Sequence, residues 1–313
     1  MIRMLCPEPD SFSKKGLDYA SKNINLTCRA LTQQQFEEIA PNYEVLLIRF
    51  NTIISESILI GNSKIKSIIS PTTGLDHIDL VAVKCNKVKV YHLKGQKRFL
   101  KGVSGTAELT IGLMLSLLRK IPQSFESVKK CEWETGPFRG NEVSEKKIGI
   151  IGCGRLGSKV SRVAVALGMN VFSYDPYISR FPTSVTQVNS LADLLSMVDI
   201  LTVHIPLLPK TRHLISKKEI DQMKDGVVII NTSRGSIIST QALLYGLEKG
   251  KIKSAAIDVM EDEHCIKKIG HVLIDYANKH DNLLITPHIG GATYESVEKT
   301  DFFILKKYFS EVE

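Results

Sequence analysis

No stretch of this chain holds the roughly 20 consecutive apolar residues that a membrane helix needs. The start, Met-Ile-Arg-Met-Leu-Cys-Pro, is too short in apolar residues for a secretory signal. No membrane partner is therefore expected, and a cytoplasmic location is. Cysteine is sparse: Cys6, Cys28, Cys85, Cys131, Cys153 and Cys265 show no paired spacing, no Cys-x-x-Cys and no Cys/His group. That argues against a disulfide framework and against a zinc centre, so no metal is expected. Short repeats and low-complexity tracts are missing, and tryptophan occurs once. Acidic residues fall short of basic ones, 33 against 41, which leaves a net charge of +8. The surplus is spread over the chain in pairs such as Lys14-Lys15, Lys217-Lys218 and Lys306-Lys307. Dispersed lysines of this kind are a solvated surface, so no nucleic-acid partner is expected. What remains is an ordinary globular composition, 43% apolar and 24% charged. At 313 residues the chain is long enough for two domains, each with its own core.

The stretch from Lys147 to Asp175 organises the rest. Lys-Ile-Gly-Ile-Ile is an Ile-rich run suited to a strand buried on both faces. Gly152-Cys-Gly154-Arg155-Leu156-Gly157 follows, then apolar residues at helical spacing (Leu156, Val160, Val163, Ala164, Leu167) up to Gly168. Asn170 to Tyr174 returns to strand character and ends at Asp175. A glycine-rich turn between a strand and a helix, with an acid closing the next strand, is a dinucleotide fingerprint. Gly152 permits the tight turn, Gly154 lets backbone approach a pyrophosphate, and Gly157 lets helix and strand pack closely. The helix N-terminus offers free N–H groups to the anion. Asp175 is placed to accept hydrogen bonds from ribose hydroxyls and would repel a 2′-phosphate, so the expected cofactor is NAD. Arg180 is the nearby residue that would suit NADP instead.

Strand and helix patterns alternate on both sides of this unit, which predicts parallel sheets. Before it, strands are expected at Ile2–Leu5, Leu26–Cys28, Val45–Ile48, Ile65–Ile69 and Val88–Tyr91, with a helix at Thr32–Ala40 capped by Thr32. The turn Ser70-Pro-Thr-Thr73-Gly74-Leu-Asp76 sits at a strand's carboxyl end, where backbone N–H groups could hold a small anion. A plain turn with a helix cap is the alternative reading. Gly102–Arg119 reads as a helix apolar over much of its surface, suited to a domain seam or a subunit contact. After Asp175, strands are expected at Asp199–His204, Gly226–Asn231, Ser254–Ile257 and Asn282–Ile285. His204, Arg234, Asp258 and His288 each fall at or just beyond such a strand's carboxyl end. In an open parallel sheet those ends share one edge, where ligands bind. Each taken alone has a duller reading: a surface arginine, a packed histidine, a solvated Glu261-Asp262-Glu263 run. Clustered beside a nicotinamide site, the functional reading is preferred.

Several of these segments resemble one family in order and wording. Val143 to Pro176, Asn-Thr-Ser-Arg234-Gly, Ala-Ala-Ile-Asp258-Val-Met-Glu-Asp-Glu263 and Thr-Pro-His288-Ile-Gly-Gly-Ala-Thr resemble the D-isomer-specific 2-hydroxyacid dehydrogenases, the phosphoglycerate dehydrogenase-like branch in particular. Gly-Leu-Asp-His-Ile-Asp in the first hundred residues extends the resemblance over nearly the whole chain. It implies an α/β protein of two domains. One is a Rossmann-type doubly wound parallel sheet over 102–291. The other is a smaller flavodoxin-like substrate domain made of 1–101 and 292–313. It implies NAD-dependent interconversion of a D-2-hydroxy acid and its 2-keto acid, with D-3-phosphoglycerate as one candidate. The roles implied are Arg234 as carboxylate binder, His288 as acid/base and Glu263 as its partner, stabilising the imidazolium. Thr73 and Gly74 would bind substrate. Gly152, Gly154, Arg155, Leu156, Gly157, Asp175, His204, Ile205, Pro206, Thr232, Ser233, Asp258 and Gly290 would line the cofactor. A homodimer joined through the cofactor domain is implied as well.

The chain departs from the pattern in places. His264 stands where a proline commonly follows the glutamate, the segment to Asn282 is long, and Thr72-Thr73 replaces smaller residues. Arg49 and Asn51 are candidates for a distal substrate group such as a phosphate, or for plain surface. Alternatives to this enzyme are a NAD-responsive, non-catalytic co-repressor-like protein and a phosphite- or formate-type dehydrogenase.

Overall fold

The structure is a computed structural model and describes residues 2–263 and 270–312. The chain divides into two compact units, Met1–Val103 with Gly291–Glu313, and Ser104–Gly290.

The first unit holds a five-stranded parallel sheet. Its strands are β1 (Arg3–Cys6), β2 (Asn25–Cys28), β3 (Val45–Leu47), β4 (Ser67–Ser70) and β5 (Lys89–His92). Their order is β2-β1-β3-β4-β5, the flavodoxin-like arrangement. Alternating residues feed two cores. Met4, Cys6 and Leu47 face one that includes Ile304, Leu305 and Tyr308 of the last helix, Tyr294–Val312. Leu5, Leu46 and Ile48 face the other. A buried polar knot ties the last helix to the unit: Asp301, 0% exposed, accepts from Ser13 N and Oγ at 2.8 Å and from Arg49 Nη2 at 2.6 Å. Arg49 also donates to Thr300 Oγ1 at 3.2 Å. Arg49 is therefore largely buried inside the unit, which corrects its reading as plain surface. The helix expected from Thr32 is Gln33–Ile39, with Thr32 and Gln35 forming a complete capping box.

The second unit holds a seven-stranded parallel sheet. Its strands are β6 (Lys147–Ile151), β7 (Asn170–Tyr174), β8 (Thr186–Gln187), β9 (Ile200–Val203), β10 (Val227–Asn231), β11 (Ile252–Ile257) and β12 (Leu283–Ile285). The order β12-β11-β10-β9-β6-β7-β8 is doubly wound and reverses between β6 and β9. Strands β9 and β10 are wholly buried, as their unbroken apolar runs require. The helix expected near Gly102–Arg119 spans Gly105–Leu118. Its apolar surface is spent inside this unit: Ala107, Leu113, Met114, Leu117 and Leu118 pack with Ile148, Ile150, Val160 and Ile230. Much of the apolar surface read from its sequence thus serves the core of this unit. Exposed apolar residues lie instead on the next helix, Ile121–Lys129, which the sequence reading passed over despite Pro122 in its first turn. Among the described residues, no helix is long and apolar enough to cross a membrane.

Candidate active site

Strand β6 ends at Ile151 and the glycine turn follows. Gly152 has φ +90°, and a Cβ there would lie 2.6 Å from Ile205 Cγ2 and 2.7 Å from the His204 carbonyl oxygen. Gly157 opens the helix Gly157–Ala166, and its Cβ would lie 2.1 Å from Gly152 O. Packing within the protein therefore demands both glycines. Gly154 is different: a Cβ there would meet nothing within 4 Å. The fold does not require glycine at that position, whereas a ligand lying against the backbone would. Leu156 is partly buried against the core, and burial lowers the pKa of the Arg155 guanidinium beside it. Asp175, just past β7, is locked next to the turn: one carboxylate oxygen accepts from Cys153 N at 3.0 Å and the other from Tyr177 N at 2.9 Å. Cys153 itself is buried, and burial raises its thiol pKa, as suits a packing residue.

His204 follows β9, on the other side of the sheet's reversal. Its backbone N donates to Ile151 O at 2.8 Å, and its Nε2 lies 3.0 Å from Thr202 Oγ1. The Nδ1 atom is buried and has no hydrogen-bond partner among the described residues. Burial lowers the imidazole pKa to about 4, so the ring is neutral at physiological pH. Ile205 is half-buried and Pro206 exposed. An open glycine backbone at a helix N-terminus, a fixed carboxylate after the second strand and an unsatisfied ring nitrogen fit a dinucleotide here.

The ends of β10, β11 and β12 are adjacent in the sheet, and each carries part of a second cluster. After β10, the buried Asn231 side chain holds the loop, donating to Arg234 O and accepting from Ser233 N, both at 3.0 Å. Ser233 Oγ donates to Val203 O at 2.5 Å, and Thr232 Oγ1 pairs with Thr110 Oγ1 at 2.8 Å. Arg234 Nη1 donates to Ser233 O at 2.7 Å. After β11, Asp258 is 1% exposed and fully engaged: it accepts from Thr286 Oγ1 at 2.6 Å and from Ile289 N and Gly290 N at 2.8 Å. Burial nevertheless pushes its carboxyl pKa up. Its carbonyl accepts from His288 N at 2.9 Å. Asp258 thereby shapes the loop that holds His288 at φ +55°, a backbone state rarely adopted outside glycine. Both Asp258 carboxylate oxygens thus serve the loop.

The imidazole of His288 meets Glu263: Nδ1 lies 2.5 Å from Glu263 Oε1, with the side chains 21% and 35% exposed. Burial alone would raise the Glu263 carboxyl pKa, but it is lowered on balance. The hydrogen bond and charge of His288, the Met260 N–H and the Arg234 guanidinium outweigh the desolvation. Arg234, Glu263 and His288 are thus one electrostatic group. Gly235 allows it, since a Cβ there would stand 2.0 Å from the Met260 carbonyl carbon.

Sequence reasoning missed Glu261, whose acidic run looked like solvated loop. Its carboxylate accepts from Thr240 N at 2.9 Å and pairs with His213 Nε2 at 2.6 Å, while its carbonyl lies 3.1 Å from His271 Nε2. No local signal could have shown it, because the partners lie 48, 21 and 10 residues away. The segment 264–269, part of the long stretch noted after Glu263, lies outside the described residues. Among those described, no group of three His, Cys, Asp or Glu side chains could hold a metal.

In the first unit, the turn after β4 is built on Ser70, Thr72 and His77. Ser70 Oγ lies 2.8 Å from Thr72 Oγ1 and 3.3 Å from His77 Nε2, and Thr72 Oγ1 donates to Gly74 O at 2.8 Å. The backbone N–H groups of Thr73 and Gly74 donate to no acceptor among the described residues.

Comparison with known proteins agrees with this arrangement. Residues 111–290 match the model for the D-isomer specific 2-hydroxyacid dehydrogenase, NAD binding domain. A hydroxypyruvate reductase of Thermotoga maritima is 33% identical over 291 residues, 93% of this chain and 92% of that protein. A D-3-phosphoglycerate dehydrogenase of Methanocaldococcus jannaschii is 36% identical over 269 residues, 85% of this chain but only 49% of that protein. The crystal structure of D-lactate dehydrogenase from Aquifex aeolicus, complexed with NAD and lactic acid, superposes with a TM-score of 0.84 at 26% identity, covering 99% and 95% of the two chains. With its glycine turn, its paired parallel sheets and these relatives, the chain belongs to the D-isomer specific 2-hydroxyacid dehydrogenase family and is an NAD-dependent oxidoreductase that interconverts a 2-hydroxy acid and its 2-keto acid.

Proposed function

We propose that His288 is the acid/base of this reaction, Glu263 its positioning carboxylate and Arg234 the binder of the substrate carboxylate. The observation that carries this is the 2.5 Å contact between His288 Nδ1 and Glu263 Oε1 within reach of the Arg234 charge. With Nδ1 engaged, Nε2 is the atom that exchanges a proton with the substrate oxygen. In the reducing direction Nε2 gives its proton to the keto oxygen; in the oxidising direction it takes the hydroxyl proton. Glu263 holds the ring and stabilises its charged form. Arg234 offers a planar two-pronged donor to the carboxylate. The unpaired N–H groups of Thr73 and Gly74 are proposed as further anion donors. Bound NAD supplies the hydride chemistry. It would be held by the turn Gly152, Gly154, Arg155, Leu156 and Gly157, by Asp175 at the ribose, and by His204, Ile205, Pro206, Thr232, Ser233 and Gly290.

The substrate proposed is a short, unphosphorylated 2-keto acid of the hydroxypyruvate type, reduced to its D-hydroxy acid. The support is Arg49: the cation that the sequence offered for a phosphate is committed to Asp301. The full-length similarity to a hydroxypyruvate reductase points the same way. The protein is proposed to be a cytoplasmic homodimer.

The test is a panel of 2-keto acids, phosphorylated and not, followed by NADH absorbance. Hydroxypyruvate should turn over and 3-phosphohydroxypyruvate should not; preference for the phosphorylated acid would overturn the substrate reading. His288→Ala should lower kcat by roughly 10²–10⁴-fold, the usual worth of a general acid or base. Glu263→Gln should lower kcat for keto-acid reduction with NADH binding unchanged, and an unchanged kcat would remove its role. Arg234→Ala should raise KM for the keto acid while leaving NADH binding intact.

A further inference from the structure

Strand β2 is the edge of the five-stranded sheet and pairs in parallel with β1 in the register Met4↔Leu26, Leu5↔Thr27, Cys6↔Cys28. Residues opposite one another in a parallel pair project to the same face of the sheet. The neighbours identify that face: Met4, Cys6 and Leu26 all pack in one core, whereas Leu5 packs in the other. Cys28, two residues beyond Leu26, therefore projects on the side of Cys6, directly opposite it in the register. Cys6 is 0% exposed, while Cys28 is exposed. Adjacent strands lie about 4.8 Å apart, inside the Cα separation that a disulfide tolerates.

We propose that Cys6 and Cys28 form a peroxide-oxidisable dithiol that closes to an intramolecular disulfide on the edge of this sheet. The Cys28 thiolate attacks a hydroperoxide oxygen; the O–O bond breaks, the alcohol or water leaves, and Cys28 becomes a sulfenic acid. The Cys6 sulfur then attacks the Cys28 sulfur; the S–O bond breaks and the departing hydroxide takes the Cys6 proton as water. Two thiols and one hydroperoxide give one disulfide, one alcohol or water from the hydroperoxide, and one further water. The dithiol loses two electrons and the peroxide gains them. The order of events follows from the asymmetry of the pair. The neighbouring Cys6 side chain lowers the Cys28 pKa to about 7 against an opposing desolvation, whereas the Cys28 side chain and burial raise that of Cys6. Cys28 is thus the exposed nucleophile and Cys6 the buried resolver, shielded from direct oxidation. Neither Cys85 nor Cys131, both exposed, lies opposite another cysteine in either sheet.

The test uses the full-length protein treated with hydrogen peroxide, then alkylated and digested. The expected result is a linked peptide pair joining Cys6 and Cys28, abolished by dithiothreitol and absent in Cys28→Ser, which changes only an exposed side chain. Because Cys6→Ser alters the core, a second measurement keeps to the unmodified chain: the rate of iodoacetamide labelling at pH 7, residue by residue. As the exposed partner of the pair, Cys28 is expected to label faster than Cys85 or Cys131. Peroxide that carries Cys28 to the sulfinic acid without linking it to Cys6, or labelling no faster than at Cys85 and Cys131, would overturn the proposal.

Discussion

His204 shows how a single side chain can be tuned by surroundings rather than by charge. Burial lowers its pKa to about 4, below the ordinary histidine value. The unfolded chain therefore binds a proton near pH 6.5 that the folded protein refuses. The stability tied to this residue is fully present above pH 6.5 and is lost as pH falls toward 4. Between pH 7.5 and 5 this amounts to at most about 2 kcal/mol. Denaturant unfolding at those two pH values should show His204→Gln losing correspondingly less stability on acidification than the parent chain. The glycines of the turn allow a second prediction at this scale. Gly154→Ala adds a methyl group where nothing stands within 4 Å, while Gly157→Ala drives one to 2.1 Å from Gly152 O. Thermal unfolding should be nearly unchanged for the first and clearly lowered for the second. NADH titration should nonetheless weaken at least tenfold for Gly154→Ala. A Gly154→Ala protein that binds NADH normally would mean the open space is not used by the cofactor.

At the scale of elements, the loop from Asp258 to Glu263 is held from three directions. Thr240 N at the start of the helix Thr240–Glu248, His213 Nε2 and His271 Nε2 all converge on Glu261. Glu261 is thus the anchor for the loop that presents Glu263 to His288, and it acts by positioning. Burial works against its charge, but His213 and the Thr240 donors outweigh it and leave its carboxyl pKa lowered. The contribution of this anchor is present above the ordinary glutamate pKa and is lost as pH falls through the lowered one. Glu261→Ala should reduce kcat by roughly tenfold, a loss of about 1.4 kcal/mol in the transition state, with NADH affinity unchanged. Glu261→Gln keeps the hydrogen-bonding shape and should recover part of that loss. If both variants keep full kcat, the anchor does not govern Glu263. The strands that position these residues were legible in the sequence because parallel strands buried on both faces leave unbroken apolar runs, as in Val227–Asn231. So was the cap at Thr32, which is local by nature. Glu261 with His213, Arg49 with Asp301 and Cys6 with Cys28 were not legible. Each joins residues distant in the chain, which no local pattern encodes. The helix Gly105–Leu118 was legible only in part: an all-round apolar helix says that it is covered, but not by what.

On the whole molecule, the proposed dimer rests on a surface that the fold leaves unpaid for. Along the helix Ile121–Lys129, Ile121, Phe125 and Val128 recur at i, i+4 and i+7 and are 50%, 62% and 48% exposed. Trp133, in the loop that follows, is 86% exposed and is the only tryptophan in the chain. Scattered apolar residues are normal on a surface, but an aligned stripe beside an open indole marks a contact site. A second copy of the chain is the occupant proposed, meeting the stripe with its own across a twofold axis. Such an interface needs about 800 Å² from each partner, so neighbouring loop residues must contribute as well. The indole then reports its own burial. Light scattering at micromolar concentration should give twice the 34.9 kDa chain mass. On serial dilution, Trp133 emission should move to longer wavelength as the dimer separates and the ring meets water. Phe125→Glu places a charge in the stripe without touching a buried residue, and it should give the monomer mass and the red-shifted spectrum at every concentration. A parent chain that is monomeric throughout, with Trp133 emission independent of dilution, would show that this stripe does not join two copies.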